Sequence, residues 1–273
     1  MDGGVRIRRV VPIPVGARTL RILRGPFQMP SSPFVSAVLL AAGQSTRMGT
    51  GPRKPFLQLE GNTVLAWALK SLAQVPCVRE VIVVAPPDQV EEVAEEASRA
   101  AESAGQSKGW VSAVVAGGTE RTDSVHAGAQ AVNDAVQVIL VHDAARPLVQ
   151  PARIEQVAKR AAEHGAALLA VRVSDTIKTS KDAVHVSGTL ERSELWAAQT
   201  PQAFDAQRFL KVLDQARRDG AVATDDAALF ERYDSTVALV EGDRDNIKIT
   251  TDEDLVHAAA ILRDRAHREG AQK

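Results

Sequence analysis

A segment of small residues carries two cations that could act on a phosphate chain. Residues 39–49 read LLAAGQSTRMG, with Arg47 inside the run, and Lys54 follows shortly after it. Backbone amides between small side chains can approach phosphate oxygens closely, and an arginine with a lysine can offset the negative charge that develops during phosphoryl or nucleotidyl transfer. The segment therefore predicts a triphosphate-binding loop.

Two well-known phosphate motifs are excluded for this loop. No Gly-Lys-Ser or Gly-Lys-Thr follows at the spacing of a Walker loop, and the three-glycine spacing of the dinucleotide fingerprint is absent. The pattern A-A-G-x-x-x-R-M-G followed by a lysine instead resembles the signature loop of the nucleotidyltransferases that activate sugar phosphates with a nucleoside triphosphate.

Two further segments place polar residues where apolar runs end. Residues 117–124 (GGTERTDS) begin with a double glycine and end on the hydroxyl of Ser124, and residues 141–147 (VHDAARP) follow the next apolar run. Because ligands bind beyond the carboxyl ends of parallel strands, we expect both segments to line one site with the first loop. Residues 117–124 could read a pyrimidine edge by hydrogen bonding, or could be a turn that caps a helix.

Asp143 is a candidate for a charged site residue. It comes after the apolar residues 138–141 and His142, so its carboxylate would be partly desolvated and would need a partner. A magnesium ion that bridges the carboxylate and a triphosphate is one candidate, since this ion prefers oxygen ligands and substrate phosphates. The alternative is a structural ion pair with Arg146. We interpret His142 as a satisfied structural residue rather than a base.

A second polar cluster lies in the C-terminal half. Residues 224–226 (TDD) are predicted to begin and cap a helix, and Lys248, between two isoleucines, is predicted to direct its charge toward a pocket. The chain contains no Ser-His-Asp arrangement and no metalloprotease motif. The expected chemistry is therefore positioning and charge neutralisation without a covalent intermediate.

The elements that would hold these residues alternate along the chain. Apolar runs predict strands at 35–42, 80–85, 111–116, 136–142, 166–173 and 236–241, and amphipathic patterns predict helices at 63–74, 88–104, 121–133, 151–164, 205–218, 225–233 and from Asp252 onward. Asp88 is predicted to cap the second helix and Pro151 to begin the fourth. This alternation predicts an α/β domain over 35–268 with a mostly parallel sheet covered on both faces.

Two segments depart from the alternation. Residues 174–200 are polar and mixed, with a Ser-Gly turn signal at 187–188, and predict a hairpin or an extended arm that leaves the domain. Residues 1–34 carry six arginines against one acid. We predict that they form a disordered extension, or that the natural start is Met29; a targeting peptide is the less favoured alternative.

Composition excludes several classes of protein. The chain has 273 residues and a net charge of −1, without the basic bias of a general nucleic-acid binder. The single cysteine, Cys77, excludes a disulfide framework and is predicted to be a buried structural thiol. No apolar run reaches the ~18–20 residues of a membrane span. We therefore expect no nucleic-acid and no membrane partner.

Together these motifs resemble the 2-C-methyl-D-erythritol 4-phosphate cytidylyltransferase family of the non-mevalonate isoprenoid pathway. The resemblance runs from about residue 36 to about residue 258 and is carried by 41–49 with Lys54, 117–124, 141–147, 175–178 (DTIK), 196–204 (WAAQTPQAF), 224–226 and 240–250 (VEGDRDNIKIT). It implies a Rossmann-like sheet of the nucleotide-diphospho-sugar transferase type with a protruding β-arm. It also implies CTP and methylerythritol phosphate as substrates, Mg²⁺ as cofactor, and a cytoplasmic homodimer with exchanged arms.

The resemblance further implies roles for individual residues. Transition-state charge would be stabilised by Arg47 and Lys54. The nucleotide would be bound by Ala41, Ala42, Gly43, Gly118, Thr119, Ser124, Asp143 and Arg146, with Asp143 also at the metal. The acceptor would be bound by Thr176, Arg192, Thr200, Asp225 and Lys248, of which the first two would lie on the arm and complete the neighbouring subunit's site.

Two other functions compete with this interpretation. Ribitol-5-phosphate cytidylyltransferase shares the fold, CTP and most motifs, and differs in the residues that face the acceptor. A non-catalytic nucleotide-binding regulator could keep the fold. Such a regulator has no need of transition-state cations, so the presence of Arg47, Lys54 and Asp143 favours an enzyme.

Overall fold

The computed structural model describes residues 33–43 and 54–271. Nearly all of the predicted N-terminal extension, and Arg47 of the predicted phosphate loop, lie outside the described residues. Lys54 begins a short 3-10 helix, Lys54–Phe56, that resumes the chain after this gap.

Seven strands form the central sheet. They are β1 (Val35–Leu40), β4 (Val78–Ala85), β5 (Val111–Ala116), β6 (Val138–Asp143), β7 (Ala166–Arg172), β10 (Trp196–Asp205) and β11 (Ala238–Glu241). Their order is β11-β7-β10-β6-β1-β4-β5. Two small antiparallel pairs stand apart from this sheet, β2 (Gln58–Leu59) with β3 (Asn62–Thr63), and β8 (Lys178–Thr179) with β9 (Gly188–Thr189). The mostly parallel α/β sheet is confirmed.

Strand β10 was not predicted from the sequence. It lies between β6 and β7 and runs antiparallel to both, whereas the other neighbouring strands of the central sheet pair in parallel. Its pairing with β7 jumps from Ala198–Ala170 to Gln202–Leu168, so residues 199–201 bulge out of the ladder. Residues 196–200, which were predicted as the end of the arm, therefore belong to the central sheet.

The helices follow the predicted pattern closely. They are α1 (Val64–Ala73), α2 (Val90–Ser103), α3 (Arg121–Ala129), α4 (Pro151–His164), α5 (Ala206–Arg218), α6 (Asp226–Tyr233) and α7 (Asp252–Gly270). Pro151 opens α4, and Asp225 caps α6 by accepting from the amide of Ala228 at 2.9 Å, both as predicted. The predicted cap at Asp88 is wrong. Asp88 lies in a turn in which the amide of Gln89 donates to the Pro86 carbonyl, and α2 begins after Gln89.

Alternating strand residues form two cores, one on each face of the sheet. On one face α1, α2 and α4 pack against positions such as Ala37 and Leu39 of β1. On the other face α3, α5 and α6 pack against Val38 of β1 and Phe204 of β10, and α5 and α6 contribute the rings of Phe209 and Phe230. Because both faces are covered, the parallel strands are apolar at nearly every position.

A buried acid, Glu80, lies at the edge of the sheet where the parallel strands begin. Glu80 accepts hydrogen bonds from the hydroxyls of Ser36 and Ser112, at 2.5 and 2.8 Å, and from the backbone amide of Asn133 at 3.0 Å. These contacts satisfy the carboxylate by joining β1, β4, β5 and the segment after α3. Polar groups at this edge therefore serve the fold.

Two expectations about burial can be checked directly. Cys77 is buried, as predicted, and burial raises the pKa of its thiol. Among the helices of residues 33–43 and 54–271, none combines the length and apolar character needed to cross a membrane.

Gly128 brings α3 into close contact with the sheet, and we predict that a methyl group there destabilises the protein. A Cβ at this position would lie 2.4 Å from Cγ1 of Val38 and 2.8 Å from Cγ2 of Val84. Alanine favours a helix over glycine by about 1 kcal/mol, but overpacking against stiff β-branched side chains costs about 1–3 kcal/mol. Gly128→Ala should therefore lower the free energy of unfolding, measured by urea denaturation.

The matched control is Gly270→Ala, at the end of α7, where an added Cβ meets no atom within 4 Å. This variant should be as stable as the parent chain. Equal stability of the two variants would contradict the packing argument.

Candidate active site

Several loops meet at the carboxyl edge of the sheet. The amide of Ala144 donates to the Leu40 carbonyl at 3.0 Å, and the amide of Ile249 donates to the Ala145 carbonyl at 2.7 Å. These bonds join the loops that follow β1, β6 and β11. The bulge of β10 and the first turn of α6 lie beside them. The parallel strands thus gather polar segments that are far apart in sequence, as their carboxyl ends predict.

The loops after β1 and β5 touch through small residues. A Cβ on Gly117 would lie 2.6 Å from Cβ of Ala42 and 2.8 Å from the hydroxyl of Ser124, so only glycine allows this approach. Ser124 accepts from the amide of Gly118 at 3.1 Å and donates to the Glu120 carbonyl at 3.3 Å. The hydroxyl of Ser124 therefore shapes the double-glycine turn.

The predicted nucleotide-binding residues differ in exposure. Ala41 is buried, and its amide already donates to the Val84 carbonyl of β4 at 2.8 Å. Gly43, Gly118 and Thr119 are exposed at the mouth of the two loops. These three residues are therefore accessible to a ligand.

Asp143 is an almost fully buried carboxylate between two cations. Its Oδ2 lies 2.7 Å from Nζ of Lys248, and its Oδ1 lies 3.6 Å from the guanidinium of Arg121. Burial opposes ionisation, but Lys248 and Arg121 more than offset it and hold the pKa of Asp143 below its usual value. The predicted alternative, a structural pair with Arg146, is wrong, because Arg146 donates to the Asn246 carbonyl at 2.7 Å.

Arg121 and Asp226 lie beside Asp143 in the candidate site, and sequence reasoning missed both. Nη1 of Arg121 donates to Oδ1 of Asp226 at 2.8 Å, Nη2 lies 2.8 Å from Oδ2, and the guanidinium also faces Asp143. Burial would lower the pKa of Arg121, but Asp226 and Asp143 raise it overall. Burial raises the pKa of Asp226, and Arg121 opposes that shift. Both residues lay within motifs noted in the sequence, but no spacing rule joins positions 105 apart.

Thr200 lies in the bulge of β10 and connects Asp143 to His142. Its hydroxyl accepts from the Asp143 amide at 3.0 Å and lies 3.0 Å from Nδ1 of His142, whose Nε2 lies 3.1 Å from the Arg146 carbonyl. A carbonyl only accepts, so Nε2 carries the proton and Thr200 donates to Nδ1. Burial lowers the pKa of His142 to about 4, which keeps this ring neutral. The interpretation of His142 as a structural residue is confirmed.

The loop that carries Lys248 alternates between core and site. Ile247 and Ile249 pack with Leu255 and Ala258 of α7, while Lys248 reaches Asp143. Asn246 is buried and donates to the Gln199 side chain and the Thr200 carbonyl, at 3.1 and 2.9 Å. Lys248 thus directs its charge toward the Asp143 carboxylate, and α7 packs behind the loop.

The two predicted arm residues are not part of the charge cluster of Asp143, Lys248 and Arg121 in the described chain. Thr176 and Arg192 are exposed, and Arg192 donates to the Ser174 carbonyl at 3.0 Å. Strand β8 and the connection from it to β9 are exposed as well, including Val184 and Val186 of that connection. Within one chain, therefore, the structure does not bring these residues together with Lys248 or Asp225.

Besides the residues that the structure describes, a metal ion at this site would need further ligands from water or substrate. In the part of the chain that the structure describes, no three His, Cys, Asp or Glu side chains are grouped as metal ligands. The Oδ1 atom of Asp143 is beyond hydrogen-bond distance from Arg121, at 3.6 Å. One carboxylate oxygen completed by water and substrate phosphates is the kind of ligand set that Mg²⁺ accepts.

Comparisons with known proteins agree on one family. Residues 35–264 match the family model described as 2-C-methyl-D-erythritol 4-phosphate cytidylyltransferase. The protein of that name from Desulforamulus reducens is 41% identical, over 85% of this chain and 97% of its own. The one from Pelotomaculum thermopropionicum is 42% identical, over 86% of this chain and 96% of its own.

Solved structures of proteins of this family also align with the chain. The 4-diphosphocytidyl-2C-methyl-D-erythritol synthase from Anaerococcus prevotii aligns with a TM-score of 0.73 at 29% identity, covering 85% of this chain and 96% of that one. The 2-C-methyl-D-erythritol 4-phosphate cytidylyltransferase from Thermus thermophilus aligns with a TM-score of 0.66 at 32% identity, covering 83% and 98%.

The contacts of Thr200 predict a clear effect of its hydroxyl on stability. Thr200→Val keeps the shape but leaves the Asp143 amide and Nδ1 of His142 without partners in a buried place. An unmet buried polar group costs about 1–3 kcal/mol, and urea unfolding should show a loss in that range. Thr200→Ser keeps the hydroxyl and is the control, with a loss of about 1 kcal/mol for the missing methyl group. Equal losses in the two variants would contradict the assigned hydrogen bonds.

Proposed function

The chain belongs to the 2-C-methyl-D-erythritol 4-phosphate cytidylyltransferase family, and from this premise we propose how its residues transfer CMP from CTP to that acceptor. The products are 4-diphosphocytidyl-2-C-methyl-D-erythritol and pyrophosphate, on the non-mevalonate route to isoprenoid precursors. The observation that carries this function is the family match over residues 35–264. The relatives described above are named for methylerythritol phosphate, so the ribitol alternative has no support among them.

The reaction needs charge control more than proton transfer. An oxygen of the acceptor phosphate attacks the α-phosphorus of CTP, and the bond from that phosphorus to the oxygen of the β-phosphate breaks. The attacking phosphate oxygen carries negative charge at neutral pH, so no general base is required. Positioning and electrostatic stabilisation of the crowded phosphorus remain as the tasks of the protein.

The nucleotide is proposed to bind along the loops after β1 and β5. Cytosine would meet the backbone of the exposed residues Gly118 and Thr119, with Ala41 and Ser124 holding those loops in place. Two features support this: the contact of Gly117 with Ala42, and the bond from the Gly118 amide to Ser124.

The remaining nucleotide contacts are assigned by family resemblance. Arg47 and Lys54 would bind the triphosphate with the amides of Ala42 and Gly43, and Arg146 would lie on the ribose side.

The acceptor is proposed to bind where Lys248 now pairs with Asp143. The side chain of Lys248 is partly exposed and its Nζ lies 2.7 Å from Oδ2 of Asp143, so an incoming phosphate can compete for it. Arg121 stays bound to Asp226 and keeps a positive charge beside Asp143 when Lys248 turns to the substrate. Asp225 and Thr200 complete this side in the proposal.

Magnesium is proposed as the cofactor, with Asp143 as its protein ligand. When bound, the ion would neutralise charge on the triphosphate. The support is the chemistry of the site, one buried carboxylate beside the loops assigned to the phosphates. Lys248 and Arg121 keep that carboxylate ionised, and an ionised carboxylate is the form that binds a cation.

A homodimer with exchanged arms is proposed from the character of residues 174–195. An isolated two-stranded pair is marginally stable in water, yet β8 and β9 stand apart from the central sheet. The pair and its flanks expose Ile177, Val184, Val186 and Leu190, which a second copy could cover. In such a dimer Thr176 and Arg192 would reach the partner's acceptor site. We propose a cytoplasmic location, where CTP and sugar phosphates are available.

The role of Lys54 gives the first test of this function. Lys54→Ala should lower turnover about 10²–10³-fold while leaving the melting temperature unchanged, because one transition-state donor is worth that much. Pyrophosphate release from CTP is measured with methylerythritol phosphate and with ribitol phosphate side by side. Near-normal turnover in the variant would contradict the assignment of Lys54 as a transition-state donor. Faster turnover by the parent enzyme with ribitol phosphate would overturn the acceptor.

The arm gives the second test. Arg192→Ala should raise KM for methylerythritol phosphate far more than KM for CTP, because the lost bonds are charge-assisted bonds to the acceptor phosphate. Mixed with Lys54→Ala and assayed at methylerythritol phosphate far below the KM of Arg192→Ala, where neither variant is active alone, it should recover roughly a quarter of the parent activity, since about half of randomly exchanged dimers are mixed and each holds one intact site. If mass spectrometry confirms subunit exchange and the mixture stays inactive, the exchanged-arm dimer is wrong.

A further inference from the structure

Gln202 makes contacts that the proposed reaction does not explain. Its backbone pairs with β6 and β7, and its side chain is 1% exposed on the same face of the sheet as Phe204. That face is covered by α6. A buried amide beside an active site needs partners for both its oxygen and its nitrogen.

The partners of Gln202 fix which way its amide points. Oε1 accepts from the backbone amides of Asp226 and Ala227, at 3.1 and 2.9 Å. These groups are donors, so the side-chain oxygen must face them. Nε2 consequently faces Asp225 and donates to its Oδ2 at 3.0 Å. The reversed orientation would set nitrogen against two N–H groups and oxygen against a carboxylate.

Asp225 is held from both sides by this arrangement. Its Oδ1 accepts from the amide of Ala228 at 2.9 Å, and its Oδ2 accepts from Gln202. The adjacent Asp226 binds Arg121, which in turn faces Asp143. The charged groups around Gln202 are therefore Asp225, which caps α6, Asp226, which begins it, and Arg121 of α3. One neutral side chain from β10 sets the position of the acids at the start of α6.

We propose that Gln202 is a positioning residue for the acceptor substrate, which orients the Asp225 carboxylate by donating a hydrogen bond to it. The role rests on the proposed function, in which Asp225 faces methylerythritol phosphate. Capping of α6 alone would need only the oxygen of Gln202. Orientation of Asp225 needs the nitrogen.

Gln202→Glu separates these two roles. The carboxylate still accepts from the amides of Asp226 and Ala227 and so keeps the cap of α6, but its charge is buried beside Asp225, so the melting temperature should fall. The variant has no donor for Asp225 and faces it with a like charge. KM for methylerythritol phosphate should rise about tenfold to a hundredfold, with KM for CTP unchanged. Gln202→Met, which removes both groups, should also lower the melting temperature.

A double variant tests the hydrogen bond itself. In Gln202→Glu with Asp225→Asn, the donor and the acceptor change places, and asparagine remains a good helix cap. KM for methylerythritol phosphate should lie at least about fivefold below the value expected if the two single-variant increases simply multiplied, which is a coupling of contacting residues. Asp225→Asn alone completes the cycle.

The outcomes distinguish a failure of the proposed function from a failure of the proposed role of Gln202. Turnover of methylerythritol phosphate by the parent enzyme supports the proposed function, and its absence refutes that function whatever the variants do. With an active parent, an unchanged KM in Gln202→Glu, an equal rise in both KM values, or additive effects in the double variant would each overturn the role of Gln202.

Discussion

The compensation of one buried carboxylate organises the functional edge of this protein. Asp143 ends a strand that is apolar on both faces, and a charge in that place is tolerated only with partners. Lys248 supplies one from the loop after β11, and Arg121 supplies another from the start of α3. Thr200 takes the amide of the same residue. Three segments from distant parts of the chain are thereby brought to a single group.

Strand β10 is the scaffold for this compensation. Its bulge at residues 199–201 turns polar side chains away from the ladder. Gln199 then reaches the Asp243 carbonyl, Thr200 reaches His142, and Gln202 reaches the start of α6. Loops after two strands and the beginning of a helix are thus all attached to one strand. The polar groups are buried and mutually satisfied, so their geometry is set before any ligand arrives.

The parallel strands and the helices could be predicted because their patterns are local. Continuous apolar runs and amphipathic periods place α4 at its observed bounds and most other elements within a few residues. Strand β10 could not be predicted in this way. Its sequence Gln-Thr-Pro-Gln carries a proline and polar side chains, which normally indicate a loop, and their burial depends on partners elsewhere in the chain. Asp143 and Lys248 were identified singly. The pairing of Arg121 with Asp226 could be recognised only from the folded structure, which brings the starts of α3 and α6 together.

The position of β10 also constrains the order in which the sheet can be completed. Strands β1, β4, β5 and β6 come from residues 35–143, and they can pair with one another as soon as that length of chain exists. Strand β7 follows next in sequence but has no place beside β6, because β10 occupies it. The growing chain therefore holds an open strand edge on β6 until residues 196–205 emerge. Pairing across that gap spans more than fifty residues between β6 and β10, a long-range contact of the kind that slows folding.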